Sequence, residues 1–202
     1  MKLTAVFRRV SNLDDDLLKL HQDLLTCVKS LENGWNFQLN GSPEIQPGEL
    51  VSVCKIEGNK GLKGEVCYSL RSESYLRDES QYDDSISIEL SCTEDKLISF
   101  YNDVFTKLVE AFSPYRAEII VPEVARLDWR EISKATRDAG RDIYGRFGVY
   151  RIWPVSYYKK ELLSGIPASS KLKTTESSLT FNEPKAYFNN EYKSFSGIVR
   201  GS

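Results

Sequence analysis

Residues 140–154, GRDIYGRFGVYRIWP, combine glycines with aromatic and basic side chains, a mixture that could bind phosphate. A phosphate-binding loop needs a GxxxxGK[ST] sequence between a strand and a helix, so that backbone N–H groups converge at the helix start. Here Gly145 is followed by Arg146, and the residues after Gly148 alternate like a strand. We therefore interpret Gly140 as the end of a helix and the two later glycines as turn positions that admit positive φ.

Histidine and cysteine offer little for catalysis in this chain. His21 is the single histidine, so a multi-histidine zinc site is excluded, and the leucines around it predict the edge of a helix's apolar stripe. The cysteines contain no CxxC pair, which predicts reduced, buried thiols rather than a zinc ribbon or a redox dithiol. The four are Cys27, Cys54, Cys67 and Cys92.

Clustered carboxylates are the remaining candidates for catalysis. A two-metal hydrolase or nuclease needs carboxylates that converge on ions about 4 Å apart. Asp83 and Asp84, or the acids at 14–16, could supply them, but the first pair follows a loop and the second group opens a predicted helix. Solvated acids are common at both kinds of position. A metal-dependent hydrolase or nuclease remains an alternative, whereas we expect a protein that is not an enzyme and needs no metal or other cofactor.

Charge is distributed unevenly along the chain, although the net charge is only -2. Acidic residues outnumber basic ones between Arg71 and Asp103, and such a patch could steer a basic partner into contact. The alternative is a set of solvated faces bridged by i,i+4 ion pairs. A basic stripe follows at helical spacing, formed by Arg126, Arg130, Lys134, Arg137 and Arg141.

Aromatic residues crowd the region from 144 to 158, with arginines between them. Tyrosine, tryptophan and arginine are the usual anchors of protein interfaces, so Tyr150 and Trp153 are candidate anchors. The same mixture could stack on single-stranded nucleic acid, although the net charge does not favour that function. Part of the set must instead pack in the core.

The hydrophobic pattern predicts an α+β fold, with a largely antiparallel sheet and two long helices packed on one face. Residues 85–92 alternate between apolar and polar, as a half-buried strand does. Apolar residues at helical spacing predict one helix up to Leu31, another over 93–112 and a third from about Asp128 to Gly140. Residues 1–165 are expected to form a single domain. Residues 166–202 are expected to form a polar C-terminal extension, which is either loose or folded as a peripheral hairpin.

The N-terminal sequence MKLTAVFRRV has too short an apolar run for a signal peptide, because Arg8 and Arg9 end it. No segment approaches the roughly 20 apolar residues of a membrane span. We therefore expect a cytoplasmic protein that does not bind membranes.

The order of these elements, the segment LDW at 127–129 and the stretch GRDIYGRFGVYRIWP resemble bacterial immunity proteins of polymorphic toxin and type VI secretion systems. The resemblance covers most of residues 1–160 and points to the immunity protein 52 family. It implies a cytoplasmic, non-enzymatic antidote that covers the active site of a cognate protein toxin, in that family a nuclease.

The sequence thus predicts partner binding, with no small-molecule substrate. The acidic region fits this function, since an acidic surface can occupy the basic cleft of a nuclease. A nucleic-acid-binding accessory protein is the other alternative to an immunity protein. The predicted contacts are Asp78, Glu79, Asp83 and Asp84 for electrostatics, with Tyr150 and Trp153 as anchors.

Overall fold

Strand β1 (Lys2–Arg9) lies in the middle of the main sheet, between β5 (Asp84–Ser91) and β6 (Arg116–Ile120). Its alternate residues Leu3, Ala5 and Phe7 are buried, as the period-2 pattern of a strand with one core face requires. The computed structural model describes residues 1–31, 35–77, 79–140, 144–146, 148–160, 172–175, 177–189 and 196–200.

The described strands form one nine-stranded sheet and one two-stranded sheet, and every pairing is antiparallel. The order in the main sheet is β2-β3-β4-β5-β1-β6-β8-β10-β9, and β7 pairs with β11 in the small one. The remaining bounds are β2 (Gln38–Asn40), β3 (Val51–Glu57), β4 (Lys63–Ser69), β7 (Gly148–Arg151), β8 (Val155–Lys159), β9 (Leu172–Thr174), β10 (Ser178–Asn182) and β11 (Ser196–Arg200).

Two long helical segments cover one face of the main sheet. The first is α1 (Leu17–Lys29), and the second runs continuously through α2 (Glu94–Phe100), a π-helical turn (Tyr101–Phe105) and α3 (Thr106–Phe112). The rings of Phe7 and Phe105 lie 5.1 Å apart, which joins β1 to the second segment. The α+β fold with two long helices on one face of an antiparallel sheet is therefore confirmed.

A fourth helix, α4 (Pro122–Ala139), lies on the opposite face of the sheet. It begins six residues before the predicted start at Asp128. Pro122 is compatible with the first turn of a helix, because the backbone N–H that proline lacks has no partner within the helix at that position. It ends at Gly140, whose φ of 64° is left-handed, as predicted. The helix and the sheet enclose a cavity of about 140 Å³ that is lined by Val6, Arg8 and Ile132 among others.

The C-terminal extension is partly integrated into the domain. Strands β9 and β10 form a hairpin, one of the two predicted alternatives, but β10 pairs with β8 and so continues the main sheet. Tyr187 is buried in the central core, and its hydroxyl donates to the carbonyl of Ile119. A domain boundary at residue 165 therefore does not separate a core from a loose tail.

In the described part of the chain, the helices all lack the length and apolar character needed to cross a membrane.

Candidate partner-binding surface

Asp84, one of the predicted partner contacts, begins β5 and has no exposed side-chain surface. Its carboxylate accepts hydrogen bonds from the backbone N–H of Ser69 (3.0 Å) and from the hydroxyl of Ser11 (3.1 Å). Two arginines complete the shell: Arg71 donates from both terminal nitrogens, at 2.7 and 2.5 Å, and Arg9 donates at 3.2 Å. The charge of Asp84 is thus satisfied inside the fold.

Asp15 shares the same two arginines and completes a charge cluster in which Asp84 is buried and the other three side chains are half-buried. Arg9 donates to both of its oxygens, at 2.6 and 2.8 Å, and Arg71 donates at 3.1 Å. Burial raises the pKa of Asp15, but the hydrogen bonds from Arg9 and from the backbone N–H of Asn12 outweigh it, so the pKa lies below its usual range. The acids at 14–16 therefore supply one member of an ion-pair network.

Asp83 forms a second buried ion pair on the same stretch of chain. Arg146 donates to its Oδ1 from Nε (2.8 Å) and Nη2 (2.5 Å), and the hydroxyl of Tyr115 donates to its Oδ2 (2.7 Å). Arg146 also donates to the carbonyl of Arg77, and Arg8 donates to that of Ser80, both at 3.0 Å. These arginines anchor the loop before β5 to the sheet.

The predicted exposure of the acidic residues is therefore wrong for two of them. Asp83 is 5% exposed and Asp84 is fully buried, because arginines from distant parts of the chain neutralise both. Glu79 is exposed as predicted, and Gln81 donates to its carboxylate. Asp78 lies outside the described residues. Partner binding by these side chains stays a prediction.

Glu118 holds the aromatic region against the sheet. Its carboxylate accepts from the hydroxyls of Tyr158 (2.6 Å) and Tyr144 (3.5 Å), and Arg116 lies 3.4 Å from it. Arg116 in turn stacks on the ring of Tyr144 at 4.2 Å. Burial raises the pKa of Tyr144 to about 12, so this hydroxyl remains a donor at neutral pH. These tyrosines contribute to the interior of the fold.

Trp153 is not exposed as an anchor, which corrects the sequence prediction. It is 1% exposed, and Arg151 lies over its ring at 5.5 Å. Arg151 also forms a bidentate ion pair with Asp128 of α4, at 2.5 and 2.8 Å, so β7 is fastened to that helix. Tyr150, on the other side of the strand, is half-buried and accessible. The glycine-rich stretch leads into strand β7 rather than a helix; Gly145 lies in a turn, as predicted, but without a positive φ, and Gly148 is the first residue of β7 rather than a turn position.

The single histidine is in the core, and two of the four cysteines, Cys54 and Cys92, are buried as predicted, whereas Cys27 and Cys67 are half-buried. His21 is buried, its Nδ1 lies 3.1 Å from the hydroxyl of Tyr68, and burial lowers its pKa. Burial raises the pKa of each of the four thiols, which keeps them protonated at neutral pH. No group of three or more potential metal ligands occurs among the described residues.

Among the described residues, no helix covers the outer half of the α4 side of the sheet. We call this area the open sheet face and define it by Val51, Val53, Cys67, Ser85 and Ser87. The two valines are 39% and 41% exposed, and the other three are half-buried. The area contains mainly small side chains and is accessible from solvent.

The open sheet face continues to the base of α4. One row of paired residues crosses four strands from Val53 through Cys67 and Ser85 to Arg8. Arg8 lines the cavity beneath α4 together with Trp129. Three strand spacings of about 4.8 Å, or roughly 14 Å, separate β3 from β1, and α4 and the Ser80 carbonyl occupy the β1 end of this distance. The uncovered strip therefore lies over β3, β4 and β5.

Two large apolar residues of α4 project from the protein surface. Trp129 is 61% exposed and Leu127 is 72% exposed. The sequence analysis predicts neither residue as a partner contact. Both lie outside the stripe of α4 that faces inward around Ile132. That mismatch between residue type and helical position is the signal that could have identified them.

The comparisons with known proteins are limited. No protein-family model matches the chain, and no curated protein matches it. Among solved structures, the Pseudomonas aeruginosa T6SS protein PA0821 is similar, with 13% identity over 99% of this chain and 75% of that chain and a TM-score of 0.45. The similar protein thus belongs to a type VI secretion system. At this TM-score the likeness carries no conclusion about what the present chain binds.

Proposed function

We propose that this protein is a non-catalytic binding protein that neutralises a cognate bacterial toxin in the cytoplasm. The observation that supports this proposal best is the exposure of Trp129 on α4, next to the open sheet face. Exposed tryptophans are typical of interface hot spots, where a few large side chains supply most of the binding energy. The sequence resemblance to immunity proteins supplies the identity of the partner.

The positions of the acidic residues favour binding over the alternative of a metal-dependent hydrolase. Carboxylates that hold catalytic metal ions must direct their oxygens at the ions. The oxygens of Asp15 and Asp84 instead accept hydrogen bonds from Arg9 and Arg71, and Asp83 is paired with Arg146. The same cationic groups would repel a divalent ion at these places.

The nuclease activity of the partner rests on the resemblance alone. The electrostatic argument for a nuclease partner was that an exposed acidic surface of this protein could enter the basic cleft of a nuclease. Since Asp83 and Asp84 are neutralised within the fold, they add nothing to such a surface. The proposal therefore concerns a protein toxin, with a nuclease as the class that the family implies.

The proposal is tested with the purified products of the genes that flank this one, among which the proposed function places the toxin. Its affinity for the wild-type chain is measured by calorimetry, and protection is measured as growth during co-expression. We expect Trp129→Ala to weaken binding at least about tenfold, or about 1.4 kcal/mol, because truncation removes a hot-spot contact. Leu18→Ala is the matched control, since Leu18 is 62% exposed on α1, across the sheet. Absence of binding by the wild-type chain would show the proposal to be wrong.

A further inference from the structure

The charged residues of α4 divide into two flanks. Successive residues of an α-helix are rotated by about 100°, so a position fixes the direction of a side chain around the axis. With Ile132 buried against the sheet, Glu131 and Asp138 project to the same side as Asp128. Trp129 projects to the other side. The exposed arginines nearest to it around the axis are Arg126, Arg130 and Arg137.

The contacts of Asp128 show that the acidic flank of α4 lies next to β7 of the two-stranded sheet. Asp128 is paired with Arg151 of β7, and the charges of Asp128 and Glu131 both act on Tyr150 of that strand. The acidic flank therefore faces β7. The flank of Trp129 faces away from β7, toward the side of β1 where Val6 and Arg8 pair with Ser87 and Ser85 of the open sheet face.

We propose that the basic flank of α4, defined by Arg126, Trp129, Arg130 and Arg137, docks an acidic surface of the partner protein on the open sheet face. The inference rests on the proposed function and adds the location of the interface and the chemistry of the partner. Arginine side chains bind carboxylates in bidentate pairs, and Trp129 supplies apolar contact area between them. Val51 and Val53 supply an apolar floor on the far side of the strip.

This polarity is the reverse of the electrostatic prediction from the sequence. In the sequence, an acidic region between Arg71 and Asp103 suggested a basic partner. In the fold, Asp83 and Asp84 are neutralised, whereas Arg126, Arg130 and Arg137 remain exposed on a single flank. The coherent charge that a partner meets at this surface is positive.

A protein partner fits this surface better than a nucleic acid does. A nucleic-acid site needs a continuous positive surface that follows the phosphate backbone. Beyond the valines, the outward side chains of β3, β4 and β5 include the ion pairs Lys55–Glu65 (2.9 Å) and Lys63–Glu89 (3.2 Å) and the exposed Glu57, so both signs of charge alternate there. Alternating charges beside exposed valines are typical of the rim of a protein interface.

The test uses the double variant Arg126→Glu/Arg130→Glu and, as the toxin domain, the flanking-gene product that the proposed function identifies as the toxin. We expect its affinity to be at least tenfold lower than that of the wild type in 50 mM salt, mainly through slower association, with a weaker dependence on salt. The matched control is Lys29→Glu/Lys107→Glu, which changes the net charge equally on exposed residues of α1 and α3, across the sheet. The control is expected to change affinity less than threefold. Thermal unfolding of both variants verifies that they are folded.

Each other outcome has a distinct meaning. If the wild type binds the toxin domain and the α4 variant binds equally well, the proposed function stands and the docking surface is wrong. If the wild type does not bind the toxin domain, the proposed function is wrong and the inference with it. If the wild type instead binds a 20-nucleotide single strand or duplex and the α4 variant does not, the surface recognises nucleic acid, which also overturns the inference.

Discussion

Replacement of Asp84 by asparagine tests whether this carboxylate stabilises the fold or contacts a partner. The side chain is completely buried and accepts hydrogen bonds from Ser11, Ser69, Arg9 and Arg71. Asparagine keeps the volume but loses the charge, and its amide group must turn an N–H toward groups that are themselves donors. We therefore expect a loss of stability without any partner present.

The magnitude follows from the contacts. Breaking a buried ion pair by removing one member costs about 3–5 kcal/mol, because the other charge is left in a poorly solvated place. Here Asp15 also pairs with Arg9 and Arg71, so their charges are not entirely uncompensated. We take the lower end, about 3 kcal/mol, which corresponds to roughly 6–12 °C in Tm for a domain of this size.

The assay is urea unfolding followed by tryptophan fluorescence and circular dichroism. Asp14→Asn is the matched control, because Asp14 is exposed and its replacement is expected to change the free energy of unfolding by less than about 0.5 kcal/mol. A loss below about 1 kcal/mol for Asp84→Asn would refute the reasoning from burial. A normal stability combined with weaker toxin binding would instead support the prediction of an exposed contact.

Two further predictions concern the tryptophans and the histidine. Trp153→Ala should lower the free energy of unfolding by about 3–5 kcal/mol because it leaves a cavity, whereas Trp129→Ala should change it by less than about 0.5 kcal/mol; similar losses in urea unfolding would contradict the assigned burial. The pKa of His21 is lowered by burial, so the unfolded chain binds a proton first as the pH falls below about 6.5. Stability should therefore decrease from pH 7 to pH 5, and His21→Gln should reduce that slope; equal slopes in the two proteins would exclude His21 as the cause.

The regular elements could be predicted because their signals are local. The alternation at 85–92 and the apolar stripe from Leu97 to Phe112 specify a strand and a helix, and the structure contains both. The start of α1 was predicted too early, with the acids at 14–16 in its first turn. Asp16 is the actual cap, accepting from the backbone N–H of Lys19 at 3.0 Å, and the helix begins at Leu17.

The candidate surface could be predicted only in part. Its composition is evident in the sequence, which contains arginines at helical spacing and the tryptophan of LDW. Its location is not, because the open sheet face exists only through the order of the strands and the placement of α4 over β1. The basic stripe is evident in the sequence. Its association with Trp129 depends on which flank of α4 faces β7.

By itself, the sequence determined the α+β class and the two long helices, because the periodicity of apolar residues along a chain dictates which segments bury one face. Only the tertiary structure decided which charges a partner can meet. Asp84 lies 75 positions from Arg9, and Asp83 lies 63 positions from Arg146. Neutralisation of a carboxylate depends on distances of a few ångströms, and folding creates those distances between residues that no local pattern connects.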